Sequence, residues 1–196
     1  GIGDAVREDA RATVDALRAR GIRGMVLSGD HADVVGRVAA QLGIAAGDVR
    51  GELTPEAKRD AVAALTGGAG RKGSVVMVGD GVNDAAALAL ADVGIAVHGG
   101  AGASIVAADV VLTREGTAPV LDVLDGARSV FRVIARNLGL SLAYNAAGAT
   151  LAVLGLVSPL LAAVLMPASS LTVTLSSAFS RTFAAAAGGE RRQRWS

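Results

Sequence analysis

The sequence predicts an α/β domain with a parallel sheet, followed by an all-α hairpin. Short apolar strands alternate with helical segments over residues 1–113, and this alternation is typical of a doubly wound parallel sheet. Charged residues then disappear for 44 positions, from residue 137 to residue 180. A membrane-spanning helix needs roughly 20 apolar residues, so this run has room for two spans.

Hydrophobic spacing and turn residues define the elements of the first half. In chain order we expect a helix at residues 4–20, a strand at 24–27, a turn at 28–30, a helix at 31–43 and a short edge strand at 49–53. A third helix is predicted to begin at Pro55. Proline suits the first helical position, and Thr54 before it supplies a capping hydroxyl.

Strands and helices continue to alternate after residue 74. In chain order we expect a strand at residues 75–78, a helix from residue 85, a strand at 92–97, a helical turn at 103–106, a strand at 109–112 and a helix at 116–136. The strand at 75–78 has an unbroken apolar run, which predicts burial on both faces.

Polar side chains follow that strand at its carboxyl end. Asp80, Asn83 and Asp84 come within five positions, where two glycines allow close backbone approach. Carboxylate oxygens at such an edge suit Mg²⁺, a hard cation that takes one or two carboxylates together with phosphate. The alternative is that these residues only cap the next helix.

Two further polar residues follow predicted strands or open helices. Ser28 ends the first strand beside a helix start, a place where backbone N–H groups favour an anion. Taken alone, a capping serine or a turn explains it better. Lys58 lies one turn into the third helix, where a lysine is normally solvated, although a compact cation also suits a transferring phosphoryl group.

Charge and composition narrow the function classes. The formal net charge is +1 over 196 residues, which gives no reason to expect a nucleic-acid partner. The chain has no cysteine, so disulfides and thiolate metal sites are excluded within it. The first residue is glycine rather than methionine, and the sequence is therefore expected to be a piece of something longer.

The uncharged run has basic residues on both sides. Arg128, Arg132 and Arg136 precede it at a spacing of four, and Arg181 follows it. Under the positive-inside rule this arrangement puts both ends of a transmembrane hairpin in the cytoplasm. A multi-pass protein embedded in a lipid bilayer is therefore expected, with a buried pair of soluble helices as the alternative.

Residues 79–97, GDGVNDAAALALADVGIAV, resemble the hinge motif of the P-type ATPases, members of the haloacid-dehalogenase-like superfamily. The resemblance implies a haloacid-dehalogenase-like parallel sheet that serves as a phosphorylation domain. In that domain Asp80 would bind Mg²⁺, and Asn83 and Asp84 would order the site. ATP would be the phosphoryl donor, bound mainly by regions upstream of this chain.

Two further motifs are similar to those of the same family. Ser28, Gly29 and Asp30 match a motif in which serine or threonine contacts an aspartyl phosphate. The Pro-Glu-x-Lys sequence that ends at Lys58 matches a motif whose lysine neutralises phosphoryl charge. The resemblance thus assigns catalytic roles to all four residues.

The uncharged run resembles the last two membrane helices of copper-transporting type IB heavy-metal ATPases. The residues that carry this likeness are Tyr144, Asn145, Met166 and Ser170, which would bind the transported Cu⁺. A methionine thioether is a soft ligand that selects Cu⁺. The likeness implies a pump in a bacterial plasma membrane.

The phosphorylated aspartate of that family is missing from the sequence, since no Asp-Lys-Thr-Gly-Thr occurs. We therefore expect an incomplete phosphorylation domain at residues 1–113, a connecting helix at 114–136, two transmembrane helices at 137–183 and a basic tail at 184–196. The upstream remainder of the pump would supply the aspartate, and the isolated chain would be inactive. A haloacid-dehalogenase-like phosphatase and an inactive membrane-anchored remnant or regulator remain as alternatives.

Overall fold

The computed structural model describes residues 6–67, 73–156 and 158–178. Its elements are α1 (Ala10–Ala19), β1 (Val26–Leu27), α2 (Ala32–Leu42), β2 (Val49–Arg50), α3 (Pro55–Thr66), β3 (Val76–Gly79), α4 (Ala85–Leu90), β4 (Val93–Ala96), α5 (Gly102–Ala107), β5 (Val110–Val111), α6 (Pro119–Val153) and α7 (Pro159–Ala178). The chain divides into two compact units, residues 1–121 and residues 122–196.

All strand pairs of the first unit are parallel, which confirms the predicted α/β class. Strand β1 pairs with β2, and the order of the second sheet is β3-β4-β5. Among the described residues no strand joins β1 to β3, so the strands form two sheets rather than one. The edge that β3 turns away from β4 therefore carries no described strand.

The core of the first unit is built around β4 and the helices that pack near it. Ile95 of β4, Leu88 of α4 and Val62 of α3 are the largest fully buried apolar side chains of the described residues, each no more than 1% exposed. Helix α4 contacts both α3 and β4. The short helix therefore brings the residues that precede it, at the end of β3, close to α3.

The prediction that β3 is covered on both faces is wrong. Val76 and Val78 are 39% and 40% exposed, whereas Ile95 and Ala96 of β4 are fully buried. Apolar composition cannot distinguish the two strands, because burial depends on which neighbouring elements pack over each face. The described part of the chain leaves one face of β3 open.

The predicted start of helix α3 agrees with the structure, and that of helix α1 does not. Thr54 caps α3 by accepting a hydrogen bond from the Ala57 N–H at 3.2 Å, as expected. Helix α1 begins at Ala10 and not at residue 4. Residues 1–5 lie outside the described part, as do residues 179–196, which include the predicted basic tail.

Helix α7 and all but the first turn of α6 lie in the second unit. Helix α6 is continuous from Pro119 to Val153, so the predicted boundary between connecting helix and first span falls inside one helix. A turn at Gly155 precedes α7. The Arg136 guanidinium donates to the Ser176 carbonyl at 2.8 Å, which joins the two helices. In the part of the chain that the structure describes, no helix combines the length and apolar character needed to cross a membrane.

Within the first unit, Asp9 joins the start of α1 to the segment just before α6. Its carboxylate accepts hydrogen bonds from the N–H groups of Thr117 at 2.6 Å and Ala118 at 2.8 Å. Gly116 has φ +94°, and a Cβ there would lie 2.6 Å from the Asp9 carboxylate. The contact joins residues more than 100 positions apart and satisfies N–H groups that α6 itself cannot pair.

We expect Asp9→Ala to lower the free energy of unfolding by about 1 kcal/mol, the typical loss for a helix-capping side chain. The hydrogen bond from Ala118 is the largest cause that lowers the pKa of Asp9 below its ordinary value of 3.8. Its contribution is therefore full above about pH 4 and is lost as the pH falls through the lowered pKa. Denaturant unfolding at pH 7 and at low pH measures both effects.

The matched control is Asp15→Ala, because Asp15 makes only exposed ion pairs with Arg11 and Arg18. Such pairs contribute roughly 0–1 kcal/mol. Equal losses in the two variants would show that Asp9 does not anchor α6.

Candidate active site

The predicted metal-binding turn lies at the carboxyl end of β3. Strand β3 ends at Gly79, and a short 3₁₀ turn, Val82–Asp84, leads into α4. The Asp80 side chain is exposed and makes no hydrogen bond or ion pair with any described residue. A carboxylate left open at this position is available to a cation or to a residue from outside the described part.

Asp84, by contrast, is engaged on both oxygens. Its Oδ1 lies 2.8 Å from Lys58 Nζ, and its Oδ2 accepts from the Gly81 N–H at 3.3 Å. The side chains of Lys58 and Asp84 are only 12% and 10% exposed. The two charges therefore compensate each other in a setting where either one alone would be poorly solvated.

Gly79 makes room for this ion pair. A Cβ at Gly79 would lie 2.8 Å from the Asp84 Cβ, which is closer than atoms of a real side chain approach. The glycine before Asp80 thus permits the close packing of Asp84 against the end of β3. This is the close backbone approach that the sequence predicted at this turn.

The donor set at the turn fits a hard divalent cation. Asp80 offers an unpaired carboxylate, and the neighbouring Asn83 is exposed and makes no described hydrogen bond. Asp84 has both oxygens occupied, so it suits the role of ordering the turn rather than that of the first ligand. Within the described ranges no three His, Cys, Asp or Glu side chains cluster to hold a metal, and the turn itself supplies two carboxylates.

The predicted Ser28 motif lies at the end of β1, in the other sheet. Ser28 Oγ donates to Asp30 Oδ2 at 2.9 Å and accepts from the Asp30 N–H at 3.2 Å. A Cβ at Gly29 would lie 3.3 Å from the Leu53 carbonyl. No hydrogen bond or ion pair of the described residues links this motif to Lys58.

Three of the four residues predicted to bind the transported metal line one cavity of about 390 Å³ in the second unit. They are Tyr144, Asn145 and Ser170. The remaining lining residues are Leu140, Ser141, Thr172 and Thr174. The side chain of Met166 lies outside the described part. The extra hydroxyls could have been anticipated, since Ser141 and Thr174 stand one helical turn from predicted ligands.

Comparison with known proteins shows which families the chain resembles. A family model described as haloacid dehalogenase-like hydrolase matches residues 1–92. A manganese-exporting P-type ATPase of Mycobacterium leprae is 46% identical over 89% of this chain and 24% of its own length. A copper-exporting P-type ATPase of Mycobacterium tuberculosis is 39% identical over 93% of this chain and 23% of its own. Over 89% to 93% of its length, the chain is similar to metal-exporting P-type ATPases.

A solved structure agrees with this placement. The crystal structure of a zinc-transporting PIB-type ATPase in its E2.Pi state matches with a TM-score of 0.81 and 29% identity, over 88% of this chain and 28% of that one. The chain thus spans about a quarter of the length of the relatives it matches. Those relatives are named for manganese, copper or zinc, so the resemblance to P-type ATPases is confirmed while the copper subgroup stays a prediction.

The ion pair between Lys58 and Asp84 can be tested through stability. We expect Lys58→Met to lower the free energy of unfolding by about 3 kcal/mol, because it leaves the Asp84 charge buried without its partner. Lys58→Met combined with Asp84→Asn should lose less than the sum of the two single variants. Urea unfolding of the four proteins measures this coupling.

Arg59→Met is the matched control, one position along α3. Its ion pair with Asp60 is exposed, at 46% and 66% for the two side chains, and such pairs contribute at most about 1 kcal/mol. Strict additivity of the Lys58 and Asp84 variants would contradict the ion pair.

Proposed function

We propose that this chain is part of an ATP-driven heavy-metal cation pump that works through an aspartyl phosphate. The observation that carries the proposal is the turn after β3, where Asp80 is left open and Asp84 is held by Lys58. The phosphorylated aspartate would lie upstream, because the sequence contains no Asp-Lys-Thr-Gly-Thr. The parallel strands present the relevant side chains at their carboxyl ends, where α/β proteins bind ligands.

Each residue of the turn has a distinct task in this proposal. Asp80 would hold Mg²⁺, which supplies positive charge to a transferring phosphoryl group. Lys58 would add a second positive charge from the side of α3, and its pairing with Asp84 fixes its position beforehand. Asp84 keeps the turn closed through the Gly81 N–H, with Asn83 exposed beside it. Ser28 would contact the phosphate from the end of β1.

The second unit would form a membrane hairpin in this proposal. Residues 137–180 carry no charge, and arginines stand before and after them. The zinc-transporting relative matches 88% of this chain, which extends beyond the first unit of 121 residues. We infer two spans in the lipid bilayer of a bacterial plasma membrane, with both of their ends cytoplasmic.

Cu⁺ is the cargo that the predicted ligand set favours. Tyr144, Asn145 and Ser170 line the cavity of the second unit, and Met166 would add the soft thioether that Cu⁺ selects. Thioether ligation is rare in sites for hard cations. Met166 is therefore the residue on which the choice of copper depends.

Manganese is the second candidate, and the composition of the cavity favours it. Five hydroxyls and one amide line the cavity: Ser141, Tyr144, Ser170, Thr172, Thr174 and Asn145. Oxygen donors of this kind suit Mn²⁺ better than they suit Cu⁺. The 46% identical relative of Mycobacterium leprae is named for manganese export.

Metal-stimulated ATP hydrolysis by the intact pump tests the function and the cargo together. With Cu⁺ as cargo, we expect Cu⁺ to stimulate hydrolysis and Met166→Leu to reduce that stimulation at least about tenfold, through loss of the soft ligand. Ser141→Ala should then change little. Stimulation by Mn²⁺ that Met166→Leu leaves intact would overturn the copper assignment and support manganese.

Thr150→Val is the control on α6 for these variants. Its hydroxyl bonds to the Ala146 carbonyl of its own helix at 2.9 Å, and it does not line the cavity. It should leave the stimulation by either metal unchanged. No stimulation by any transition metal would contradict the pump itself.

The 196-residue chain alone should not become phosphorylated, because the aspartate that accepts the phosphoryl group would lie upstream. Incubation with γ-labelled ATP and Mg²⁺, followed by acid precipitation, measures this. Acid-stable label on the chain would contradict the prediction. Asp30→Asn would then show whether Asp30, the carboxylate at the end of β1, had accepted the label.

A further inference from the structure

Ser104 is a buried polar residue to which neither the motifs nor the proposed function assign a role. It lies in α5 and is 0% exposed. Its hydroxyl donates a hydrogen bond to the Gly81 carbonyl, 23 positions away in the chain. A fully buried hydroxyl needs a partner, and here that partner is the backbone of the candidate metal-binding turn.

The start of α5 also holds the preceding peptide. The Ala101 N–H donates to the Asp80 carbonyl at 2.8 Å. Two successive carbonyls, those of Asp80 and Gly81, are therefore fixed by the same short helix. The Gly81 N–H, in turn, donates to Asp84 at 3.3 Å.

These hydrogen bonds lie around the backbone of Asp80, the residue whose carboxylate is open. Asp80 has no side-chain partner among the described residues, so nothing in its own hydrogen bonding sets its direction. The backbone around it is held instead. Ala101 binds the Asp80 carbonyl, Asp84 binds the Gly81 N–H of the same peptide, and Ser104 binds the Gly81 carbonyl of the next peptide. The orientation of the Asp80 side chain thus depends on groups that do not touch the ligand.

We propose that Ser104 is a positioning residue that helps to aim the Asp80 carboxylate at a divalent cation by fixing the Gly81-Val82 peptide, which directly follows the Asp80-Gly81 peptide in the turn. The proposal rests on the proposed function, because it takes Asp80 to be the cation ligand. Residues behind a ligand commonly change metal affinity about 10–100-fold when they are removed. The role of Ser104 was not predictable from the sequence, because its neighbours Ala103, Ile105 and Val106 are apolar and form no recognisable motif.

The test is a Mg²⁺ titration of the full ¹⁵N-labelled chain, followed through the amide resonance of Gly81. Reading the turn directly separates this site from the cavity of the second unit. Ser104→Ala should raise the Mg²⁺ dissociation constant about tenfold. Ser104→Cys keeps nearly the same volume with a weaker donor, and it should raise the constant as well, so that the test does not depend on one variant folding.

Val35→Ala controls for general loss of stability. Val35 is 4% exposed in α2, which packs near β2 in the other sheet. It should lower the thermal midpoint and leave the Mg²⁺ dissociation constant within about twofold of the wild type. Equal weakening of Mg²⁺ binding by Val35→Ala and Ser104→Ala would overturn the positioning role.

Asp80→Asn separates this inference from the proposed function. Loss of binding in Asp80→Asn, with an unchanged constant in both Ser104 variants, would overturn the role of Ser104 and leave the metal site standing. Equal Mg²⁺ binding by the wild type and Asp80→Asn, or none by either, would overturn the metal site and the inference with it.

Discussion

The ion pair between Lys58 and Asp84 is the interaction on which the candidate site depends. Both side chains are nearly buried and lie 2.8 Å apart, so each removes the penalty of burying the other. The pair joins α3 to the start of α4, and the second oxygen of Asp84 closes the turn through Gly81. The same ion pair therefore links α3 to the start of α4 and, through Asp84, holds the turn that carries the candidate site.

Parallel strands explain why the candidate residues stand where they do. The carboxyl ends of β1 and β3 are followed by Ser28 and Asp80, and ligands of α/β proteins bind at such ends. In the described residues the two strands belong to separate sheets. Among the described residues, no shared sheet therefore fixes the distance between the ends of β1 and β3.

Local chemistry was predictable from the sequence, and contacts between distant elements were not. The Thr54 cap and the polar turn after β3 follow from short patterns, and both are present. The exposure of Val78 and the hydrogen bond of Ser104 depend on what packs over a strand or a loop, which no local pattern encodes. For the same reason the sequence predicted Lys58 as a candidate site residue but did not predict its buried ion pair with Asp84.

The difference between the two carboxylates of the turn bears on what the site can bind. Lys58 compensates Asp84, so Asp80 leaves the group with one net negative charge. A divalent cation at Asp80 would turn this into one net positive charge, and the site would then attract a phosphate. Without Lys58, two uncompensated carboxylates would offset the whole charge of the cation and remove that attraction. In the proposed function, the lysine would thus act through the charge balance of the site, in addition to any direct contact with phosphate.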